Sequence, residues 1–435
     1  MYQLNKIFFK KKILIYGLGI SGYSSLNFLK KNNHVKFFDD DYQKFKNKNL
    51  KKFFISSKKI YKYNFDYIIV SPGINLEKCN LKNFLKKNKK KIFTDLDIFY
   101  SNNFRNLIIA VTGTNGKSTT VKLLSDIIKS TKKDVRLVGN IGKSILNEKK
   151  ISKKTIFVVE ASSYQIEYSK IFKAKYALLL NINPDHLERH KTFKKYLNAK
   201  FKLFYNQKKG DFAFFNKKSF LIKKELKNKN IKSKIINVED KLNSSYRKLI
   251  KNEYFNNKNN QQNLSYIFAI CKKLKIDKKN IIKITNSFKG LKFRQQIIYN
   301  SKKLTIINDS KATSFSSSIN LINSLNNIFW ILGGLPKKGD RFKLIKNKKL
   351  VLRAFIYGKK KNFFIKNLKN KVPFETFKNL KDAFKKVILK IKNNRYQKKT
   401  IILFSPCSAS FDSFKNFEER GEYFNELVRS QKIRI

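Results

Sequence analysis

The amino-acid sequence predicts an α/β protein made of three domains. Short apolar runs of strand length alternate with amphipathic stretches, an order that is typical of mostly parallel sheets. Glycine-rich or polar turns follow several of these runs, where α/β proteins bind their ligands. In addition, 435 residues are too many for a single hydrophobic core. We expect domains over residues 1–101, 102–290 and 291–435.

The amino-acid composition indicates whether the protein is expected to bind a polyanion such as nucleic acid. Hydrophobic residues make up 41% of the chain, which suits a folded globular protein. A formal net charge of +69 usually indicates a polyanion partner. Here, however, the lysines are spread along the whole chain and accompany 40 Phe and 20 Tyr, a pattern typical of A/T-rich coding sequence. We therefore expect no nucleic-acid partner.

Cysteine use and hydropathy favour the cytoplasm. Cys79, Cys271 and Cys407 lie far apart and form no C-x-x-C pair, so neither a disulfide framework nor a zinc site is expected. No apolar run approaches the length of a transmembrane helix, and the first residues have no signal-peptide pattern. We expect a cytoplasmic protein without membrane insertion, acting as a monomer.

A glycine motif marks the first domain. Lys12–Tyr16 indicates a buried strand that runs into Gly17–Gly22, a G-x-G-x-x-G turn before a helical pattern. A second strand ends at Asp39, where a ribose-binding acid is expected, and a third ends in the tight turn Ser71–Gly73. These features predict a Rossmann-like domain that binds a phosphorylated ligand. A glycine turn used only for packing is the alternative. Ser101–Asn103 is the expected linker.

A second glycine motif opens the central domain. Leu107–Val111 indicates a strand, Thr112–Thr119 (T-G-T-N-G-K-S-T) follows, and a helical pattern comes next. Backbone N–H groups and the helix dipole make such a turn a phosphate-binding loop. Lys117 is expected at the terminal phosphates, with Ser118 or Thr119 supplying a hydroxyl to Mg²⁺. A strict P-loop needs glycine at the position of Val111, and an ordinary glycine turn is the alternative.

Other polar residues of this domain stand near strand ends. Glu160 follows an apolar strand, a usual place for a Mg²⁺ ligand beside a P-loop, although a solvated strand end is the alternative. His186 and His190 are four residues apart and could share one helix face. Because the H-E-x-x-H pattern is absent, we interpret them as surface histidines rather than zinc ligands.

The third domain repeats the α/β pattern. Gly290–Arg294 indicates a hinge, after which strands are expected over Leu304–Ile307, Phe329–Leu332 and Thr400–Phe404. Polar or glycine residues follow each strand. We therefore predict a Rossmann-like C-terminal domain that closes over the nucleotide.

Five stretches together resemble a known family. They are Thr112–Thr119, Glu160–Glu167, Asn183–His190, Asn308–Thr313 and Ser405–Gly421. In type and order they resemble the Mur ligases, the ATP-dependent amide-forming enzymes of peptidoglycan precursor synthesis. Within that family the match is to members that add D-glutamate to UDP-N-acetylmuramoyl-L-alanine, and it extends over all three domains.

The resemblance implies roles for individual residues. It implies that the N-terminal domain holds the UDP-sugar, instead of a nicotinamide cofactor, and that the central domain binds ATP and Mg²⁺. The implied UDP-substrate residues are Ile20, Ser21, Asp39, Ser71, Gly73 and Asn140. The implied ATP-binding residues are Gly113, Thr114, Asn115, Gly116, Lys117, Ser118, Thr119, Asn260, Asn263, Arg294 and Asp309. The implied metal ligands are Ser118, Glu160, His186 and, if it is carbamylated, Lys200.

The implied chemistry has two steps. The L-alanyl carboxylate attacks the γ-phosphate of ATP to give an acyl phosphate, which the D-glutamate amine then attacks. The implied catalytic residues are Lys117, His186, Lys200 and Lys311. The implied D-glutamate residues are Thr313, Lys337 (or its neighbour Lys338), Ser410 and Phe417.

Two stretches depart from the family pattern. The hinge usually has the sequence G-L-P-H-R, but here Lys292 and Phe293 replace the proline and the histidine. A stretch that often has the sequence H-N-x-x-N begins here with Asn259. Because both changes remove a histidine near the nucleotide, we expect altered adenine affinity and unchanged chemistry.

Three alternatives remain open from the residues. Another Mur ligase or a folylpolyglutamate synthase would share the loop and the reaction type, but Ser405–Gly421 and the absence of an Asp-Asn-Pro-Arg motif argue against both. A Rossmann dehydrogenase with an unrelated insert would leave Thr112–Thr119 unexplained. A basic nucleic-acid-binding NTPase would hydrolyse ATP in response to nucleic acid.

Overall fold

The computed structural model describes residues 4–41, 49–337, 339–343, 352–393 and 399–431. The chain forms two compact units, one of residues 1–247 and 262–285, the other of residues 248–261 and 286–435. The first unit holds two β-sheets and the second unit holds one. The predicted α/β class is confirmed, whereas the domain boundaries after residues 101 and 290 stay predictions.

The first sheet has four parallel strands in the order β2-β1-β3-β4. The strands are β1 (Lys12–Tyr16), β2 (His34–Phe38), β3 (Tyr67–Val70) and β4 (Ile92–Phe93). The helices are α1 (Ile20–Leu29), α2 (Ser57–Ile60), α3 (Lys82–Lys87) and α4 (Asp95–Asn103). The strand order reverses at β1, so its carboxyl end, where the glycine turn begins, lies at the position where such sheets bind ligands.

The second sheet has six parallel strands in the order β10-β9-β8-β5-β7-β6. The strands are β5 (Leu107–Thr112), β6 (Val135–Gly139), β7 (Ile156–Glu160), β8 (Tyr176–Leu179), β9 (Phe212–Phe215) and β10 (Lys234–Asn237). Val111 of β5 pairs with Glu160 of β7. The glycine loop after β5 and the carboxylate that ends β7 therefore lie at one edge of the sheet.

Eight helices follow α4 in chain order before the third sheet begins. They are α5 (Lys117–Lys129), α6 (Ser163–Tyr168), α7 (Leu187–His190), α8 (Phe193–Tyr205), α9 (Phe220–Asn228), α10 (Ser244–Arg247), α11 (Lys258–Lys273) and α12 (Lys278–Ser287). In α5 and α8 the buried residues recur at helical spacing, because one face of each helix packs on the sheet.

The third sheet has the order β11-β12-β16-β13-β14-β15, with β11 antiparallel to β12 and the other pairs parallel. Its strands are β11 (Gln296–Asn300), β12 (Leu304–Asn308), β13 (Ile328–Gly333), β14 (Leu352–Tyr357), β15 (Phe374–Phe377) and β16 (Thr400–Phe404). Its helices are α13 (Phe315–Ile322), α14 (Lys361–Leu368), α15 (Leu380–Asn393) and α16 (Phe417–Ser430). This sheet confirms the predicted C-terminal α/β domain.

The expected linker at Ser101–Asn103 is wrong, because these residues form the last turn of α4. The helix begins with a capping box in which Thr94 and Asp97 satisfy each other's backbone N–H groups. Its apolar residues, including Leu96 and Phe99, are buried. At the far end Asn102 and Asn103 donate side-chain hydrogen bonds to the helix's own carbonyls, so residues typical of turns extend the helix.

The apolar runs fold as expected for parallel strands covered on both faces. Every residue of β7, β12 and β13 is buried. A strand between two helical layers has no solvent face, and its sequence is therefore a continuous apolar run rather than an alternating one. Within the described residues, every helix is too short or too polar to cross a lipid bilayer.

Candidate active site

The glycine loop after β5 has the backbone of a phosphate cradle. Gly116 precedes α5 in a left-handed conformation (φ +84°), and a Cβ there would stand 2.3 Å from Oδ1 of Asn263. Asn181 holds the loop from the end of β8. Its Oδ1 accepts from Asn115 N (2.8 Å) and its carbonyl accepts from Thr114 N (3.1 Å). The predicted residues Gly113–Thr119 therefore form one fixed turn at a helix N-terminus.

Two lysines meet at this loop. Nζ of Lys117 and Nζ of Lys200 each donate to the carbonyl of Gly113 at 2.8 Å. Lys200 comes from α8 and is fully buried, with its Nζ 4.7 Å from the centroid of the Tyr196 ring. Burial, and then the charge of Lys117, lower the pKa of Lys200 well below its usual value. Lys200 is therefore held close to the loop in an environment that favours its neutral amine.

Glu160 supplies a buried carboxylate beside the loop. Its Oε1 accepts a hydrogen bond from Nδ2 of Asn140 at 3.0 Å. Its Oε2 is buried and has no hydrogen-bond partner among the residues that the structure describes. An unpaired buried carboxylate oxygen is costly, so this atom fits a bound cation. Ser118 is also buried. It is the second residue of α5 and belongs to the loop stretch Gly113–Thr119.

These groups suit Mg²⁺ better than a metal ion whose ligands are all protein side chains. Over the described part of the chain, no three His, Cys, Asp or Glu side chains form a metal-binding group. Mg²⁺ usually takes one or two carboxylates and completes its shell with phosphate oxygens and water. The donor set around Glu160 is therefore consistent with a metal that arrives with a nucleotide.

His186 stands at the start of α7 in a left-handed conformation (φ 54°). Its Nδ1 is 2.9 Å from the hydroxyl of Tyr164, and its Nε2 is 3.4 Å from Oδ2 of Asp185. The interpretation as surface histidines is wrong for His190, which is buried with Nε2 3.0 Å from Oγ of Ser163. The short turn of α7 carries His190 back into the core, while His186 stays partly exposed.

The predicted UDP-substrate residues lie on the segments that follow β1, β2 and β3, except for Asn140, which follows β6 and contacts Glu160. Oγ of Ser71 donates to the carbonyl of Gly17 at 2.6 Å, and Asp39 Oδ2 accepts from Leu18 N at 2.6 Å. A Cβ on Gly22 would stand 1.8 Å from the carbonyl of Gly17, so α1 packs directly against the turn. Ile20 is 82% exposed at the start of α1. Ser21 follows Ile20, and Gly73 lies exposed on the turn after β3.

Three of the predicted ATP-binding residues come together in the second unit. Asp309 directly follows β12 and is buried, with Oδ2 accepting from Ser405 Oγ (3.0 Å) and Oδ1 from Gln295 N (3.1 Å). Oε1 of Gln295 in turn accepts from Nδ2 of Asn260 at 3.2 Å. Burial raises the pKa of Asp309 to about 7, although the Ser405 and Gln295 hydrogen bonds and the Arg294 charge oppose the rise. Asn263 belongs to the first unit.

The predicted D-glutamate residues lie on loops at one end of the third sheet. Nζ of Lys311 is 3.7 Å from the centroid of the Phe417 ring, a cation–π contact. Thr313, Lys337 and Ser410 lie on the segments that follow β12, β13 and β16. Because these strands are parallel, the three segments leave the same edge of the sheet. Lys338, the alternative to Lys337, lies outside the described residues.

Phe293, which replaces the expected histidine of the hinge, is buried rather than polar. Its backbone is left-handed (φ 60°), and its carbonyl accepts from Lys311 N at 3.0 Å. A Cβ on Gly421 would stand 2.3 Å from Cδ1 of Phe293, so the ring packs tightly on α16. The position therefore anchors the hinge by packing.

Comparison with known proteins assigns the chain. The family model "Mur ligase middle domain" matches residues 111–290, and "Mur ligase MurD-like, N-terminal domain" matches residues 11–92. The UDP-N-acetylmuramoylalanine–D-glutamate ligase of Rickettsia felis is 34% identical over 444 residues, covering 97% of each chain. The enzyme of the same name from Rickettsia prowazekii is 33% identical, covering 97% of this chain and 98% of the relative. This chain belongs to the Mur ligase family, on its MurD-like branch.

Solved Mur ligase structures support the fold of this family member. The MurF ligase of Thermotoga maritima in complex with ADP superposes with a TM-score of 0.56 at 14% identity, covering 98% of this chain and 97% of that one. A pseudomurein peptide ligase type C from Methanothermus fervidus gives a TM-score of 0.55 at 18% identity, with coverages of 97% and 100%. At these identities the likeness concerns the fold alone.

Arg420, which was not predicted to have a role, joins two loops of the second unit. Its side chain is fully buried, and Nε donates to Ser310 Oγ at 3.1 Å. Nη2 donates to the carbonyls of Ser310 (2.7 Å) and Ser408 (3.0 Å). Arg420 thereby fixes the loops after β12 and β16 to each other. The sequence contained one indication of its importance: only 11 of the 98 basic residues are arginines, so each arginine stands out among the lysines.

Proposed function

We propose that this Mur ligase joins D-glutamate to UDP-N-acetylmuramoyl-L-alanine, with conversion of ATP to ADP and phosphate. The product is a peptidoglycan precursor, so the enzyme serves cell-wall synthesis and, through it, cell shape and division. The observation that carries this proposal is the similarity to D-glutamate ligases over nearly the full chain. The three-domain α/β fold, with a phosphate cradle in its central domain, supports it.

In the first step the L-alanyl carboxylate attacks the γ-phosphorus of ATP, and ADP leaves. Negative charge accumulates on the phosphate oxygens, and preorganised donors lower the energy of that charge. The backbone of Gly113–Thr119 and Nζ of Lys117 are the donors that we assign to this task. Lys117 now donates to carbonyls of its own loop, from which its ammonium can turn to a phosphate oxygen.

We assign Mg²⁺ to the neighbourhood of Ser118 and Glu160, with His186 near it. When bound there, Mg²⁺ would offset the charge of the β- and γ-phosphates. Glu160 contributes the buried Oε2, and Asn140 orients that carboxylate through its hydrogen bond to Oε1. Asn140 therefore has a second role available beside the substrate contact predicted for it.

We further propose that Lys200 is carbamylated in the working enzyme. Only a neutral amine reacts with CO₂, and the lowered pKa of Lys200 supplies that form. Carbamylation would turn this buried neutral amine into an anion beside Lys117. The change would create an attractive pair of charges and give the metal site a further oxygen ligand.

In the second step the D-glutamate amine attacks the acyl phosphate, and phosphate leaves the tetrahedral intermediate. We assign Thr313, Lys337, Ser410 and Phe417 to the amino acid, since ammonium and hydroxyl groups suit a dicarboxylate. Lys311, whose Nζ lies 3.7 Å from the centroid of the Phe417 ring, keeps its proposed catalytic role. Arg294, Asp309, Asn260 and Asn263 are assigned to ATP. We propose that the reaction takes place in the cytoplasm, where ATP and nucleotide sugars are present, and that the enzyme acts as a monomer.

A phosphate-release assay tests the function. The protein is mixed with ATP, Mg²⁺, UDP-N-acetylmuramoyl-L-alanine and single amino acids. We expect release that requires both the nucleotide sugar and D-glutamate, with L-glutamate as the matched control. Release without the nucleotide sugar, or only with another amino acid, would contradict the proposal.

A Lys117→Ala variant tests the assignment of the loop. We expect a loss of activity of roughly 10³-fold or more, because a preorganised charge on the transferring phosphoryl group is removed. Binding of the UDP-sugar, measured by calorimetry, should stay within about twofold, since Lys117 lies outside the first-sheet site. If UDP-sugar binding fell together with activity, the assignment of the two sites would be wrong.

A further inference from the structure

Arg189 links the two substrate-facing parts of the first unit. It lies in α7, three residues after His186, with a side chain only 7% exposed. Its Nη1 donates to the carbonyl of Gly73 at 3.3 Å, on the turn after β3. Nε stands 3.6 Å from Oε2 of Glu167 in α6. From the segment that carries His186, one guanidinium therefore contacts both the Ser71–Gly73 turn and α6.

The same guanidinium also lies on aromatic rings that reach His186. Its central carbon is 4.9 Å from the ring centroid of Tyr164 and 5.6 Å from that of Tyr168. The hydroxyl of Tyr164 is 2.9 Å from Nδ1 of His186. The contacts form a continuous relay that runs from the Gly73 carbonyl through Arg189 and Tyr164 to the His186 ring.

The relay uses properties that lysine lacks. A guanidinium is planar, so it stacks on a ring while its N–H groups donate sideways to an oxygen. Lysine is the default cation of this chain, with 87 of the 98 basic residues. Lys191, two residues further on, also ties the same segments together through an ion pair with Glu77. Both side chains of that ion pair are exposed, and the contacts described for Lys191 include no aromatic ring.

We propose that Arg189 is a positioning residue that couples the UDP-substrate turn Ser71–Gly73 to the orientation of His186. The proposal rests on the proposed function, because that function gives the turn and the histidine their substrates. When the nucleotide sugar settles on the turn, the Gly73 carbonyl, Arg189 and Tyr164 keep the His186 ring in its working orientation. Arg189 itself touches no reacting atom.

The first test is the Arg189→Lys variant, which keeps the charge and removes the planar stacking. We expect kcat to fall and KM for the UDP-substrate to rise, each by about tenfold, while KM for ATP changes by less than about twofold. The matched control is Lys191→Met, which breaks the neighbouring ion pair and should leave all three values within about twofold of wild type. Equal rises in KM for both substrates, or wild-type kinetics in Arg189→Lys, would overturn the proposal.

The second test is Tyr164→Phe, which keeps the ring under Arg189 and removes the hydroxyl that contacts His186. We expect kcat to fall by about tenfold with the UDP-substrate KM unchanged, because only the last link is broken. In the double variant the two losses in kcat should be less than additive, since both act on one relay. Full additivity, or an unchanged kcat in Tyr164→Phe, would overturn the coupling even if Arg189→Lys failed to fold.

The two proposals fail in different ways. If the wild-type protein releases no phosphate with the nucleotide sugar and D-glutamate, the proposed function is wrong. If the wild-type protein is active and the variants behave as the control does, only the role of Arg189 is wrong.

Discussion

Gly116 is one of the positions at which the backbone and its surroundings together favour glycine. Its φ of +84° is a conformation that costs an L-residue about 1–2 kcal/mol. A Cβ would also stand 2.3 Å from Asn263 Oδ1, well inside van der Waals contact. The turn before α5 therefore fits the Asn263 side chain of α11, as it is placed here, only without a side chain at this position.

Gly116→Ala is expected to weaken ATP binding by at least about tenfold. To make room for the methyl group, either Asn263 must move or the loop must shift against the two hydrogen bonds by which Asn181 holds it. Titration with ATP in a calorimeter measures the effect. Gly210→Ala is the matched control, since nothing lies within 3.8 Å of its Cβ position and its φ is not left-handed. Equal ATP affinity in the two variants would contradict the expectation.

Asp309 makes the stability of the second unit depend on pH. Its pKa rises from an ordinary 3.8 to about 7 on folding, chiefly through burial. Between these two values the folded form binds more protons than the unfolded form. The free energy of unfolding therefore falls as pH rises, by up to about 1.4 kcal/mol per pH unit, and levels off above the folded pKa.

The variant Asp309→Asn should lack this pH-dependent part of the free energy of unfolding. Thermal midpoints of the two proteins are compared from pH 5 to pH 8. We expect the wild-type midpoint, relative to the variant, to fall steadily up to about pH 7 and then stay constant. Midpoints that run parallel over the whole range would show that Asp309 titrates at its ordinary pKa.

Among the helices, α4 is joined to the loop before β8 of the second sheet by one carboxylate, that of Asp97. Oδ1 of Asp97 accepts from Ser169 Oγ and from three successive backbone N–H groups, those of residues 170–172, at 2.8–3.1 Å. Its Oδ2 accepts from Thr94 N at 2.9 Å. The residue is fully buried. A single side chain thus caps the helix and satisfies the loop before β8.

Asp97→Ala should lower the free energy of unfolding by about 3 kcal/mol or more, because it leaves several buried N–H groups unpaired. Urea denaturation followed by circular dichroism measures the change. Asp382→Ala is the control, since Asp382 is also in the first turn of a helix but is exposed. A loss as small as that of the control, below about 1 kcal/mol, would argue against the role assigned to Asp97.

The same element shows how far sequence predicts structure here. The strands were predictable because each is a continuous apolar run, as in β7 and β13, and burial on both faces leaves no polar alternation to interpret. The end of α4 was not, because Ser101 and Asn102 favour turns locally. Buried neighbours and back-bonding to helix carbonyls override that preference, and neither is visible in the local sequence.

The geometry around the candidate site was predictable to a similar degree. The glycine positions predicted the tight turn before α5, since the left-handed backbone at Gly116 suits glycine. Lys200 emerged only through family resemblance, because one lysine among 87 has no local mark, and its burial depends on packing of α8. Arg420 was missed because Ser310, one of the two residues that it joins, lies 110 residues away in the chain.

For the whole molecule we expect the charge of +69 to be a property of the surface rather than a binding site. We expect contact with unrelated duplex DNA only at low salt, with affinity falling by about 10³-fold or more between 50 and 200 mM salt. Phosphate release at physiological salt should be the same with and without DNA. Stimulation of ATP hydrolysis by DNA would instead support a nucleic-acid-dependent enzyme.

Arg420 also fixes the order in which the second unit can be completed during synthesis. The loop after β12 emerges from the ribosome 110 residues before the guanidinium that fixes it. Until Arg420 has been translated, the carbonyls of Ser310 and Ser408 lack their shared donor. The loops after β12 and β16 therefore become joined only late in synthesis, through a long-range contact of the kind that slows folding.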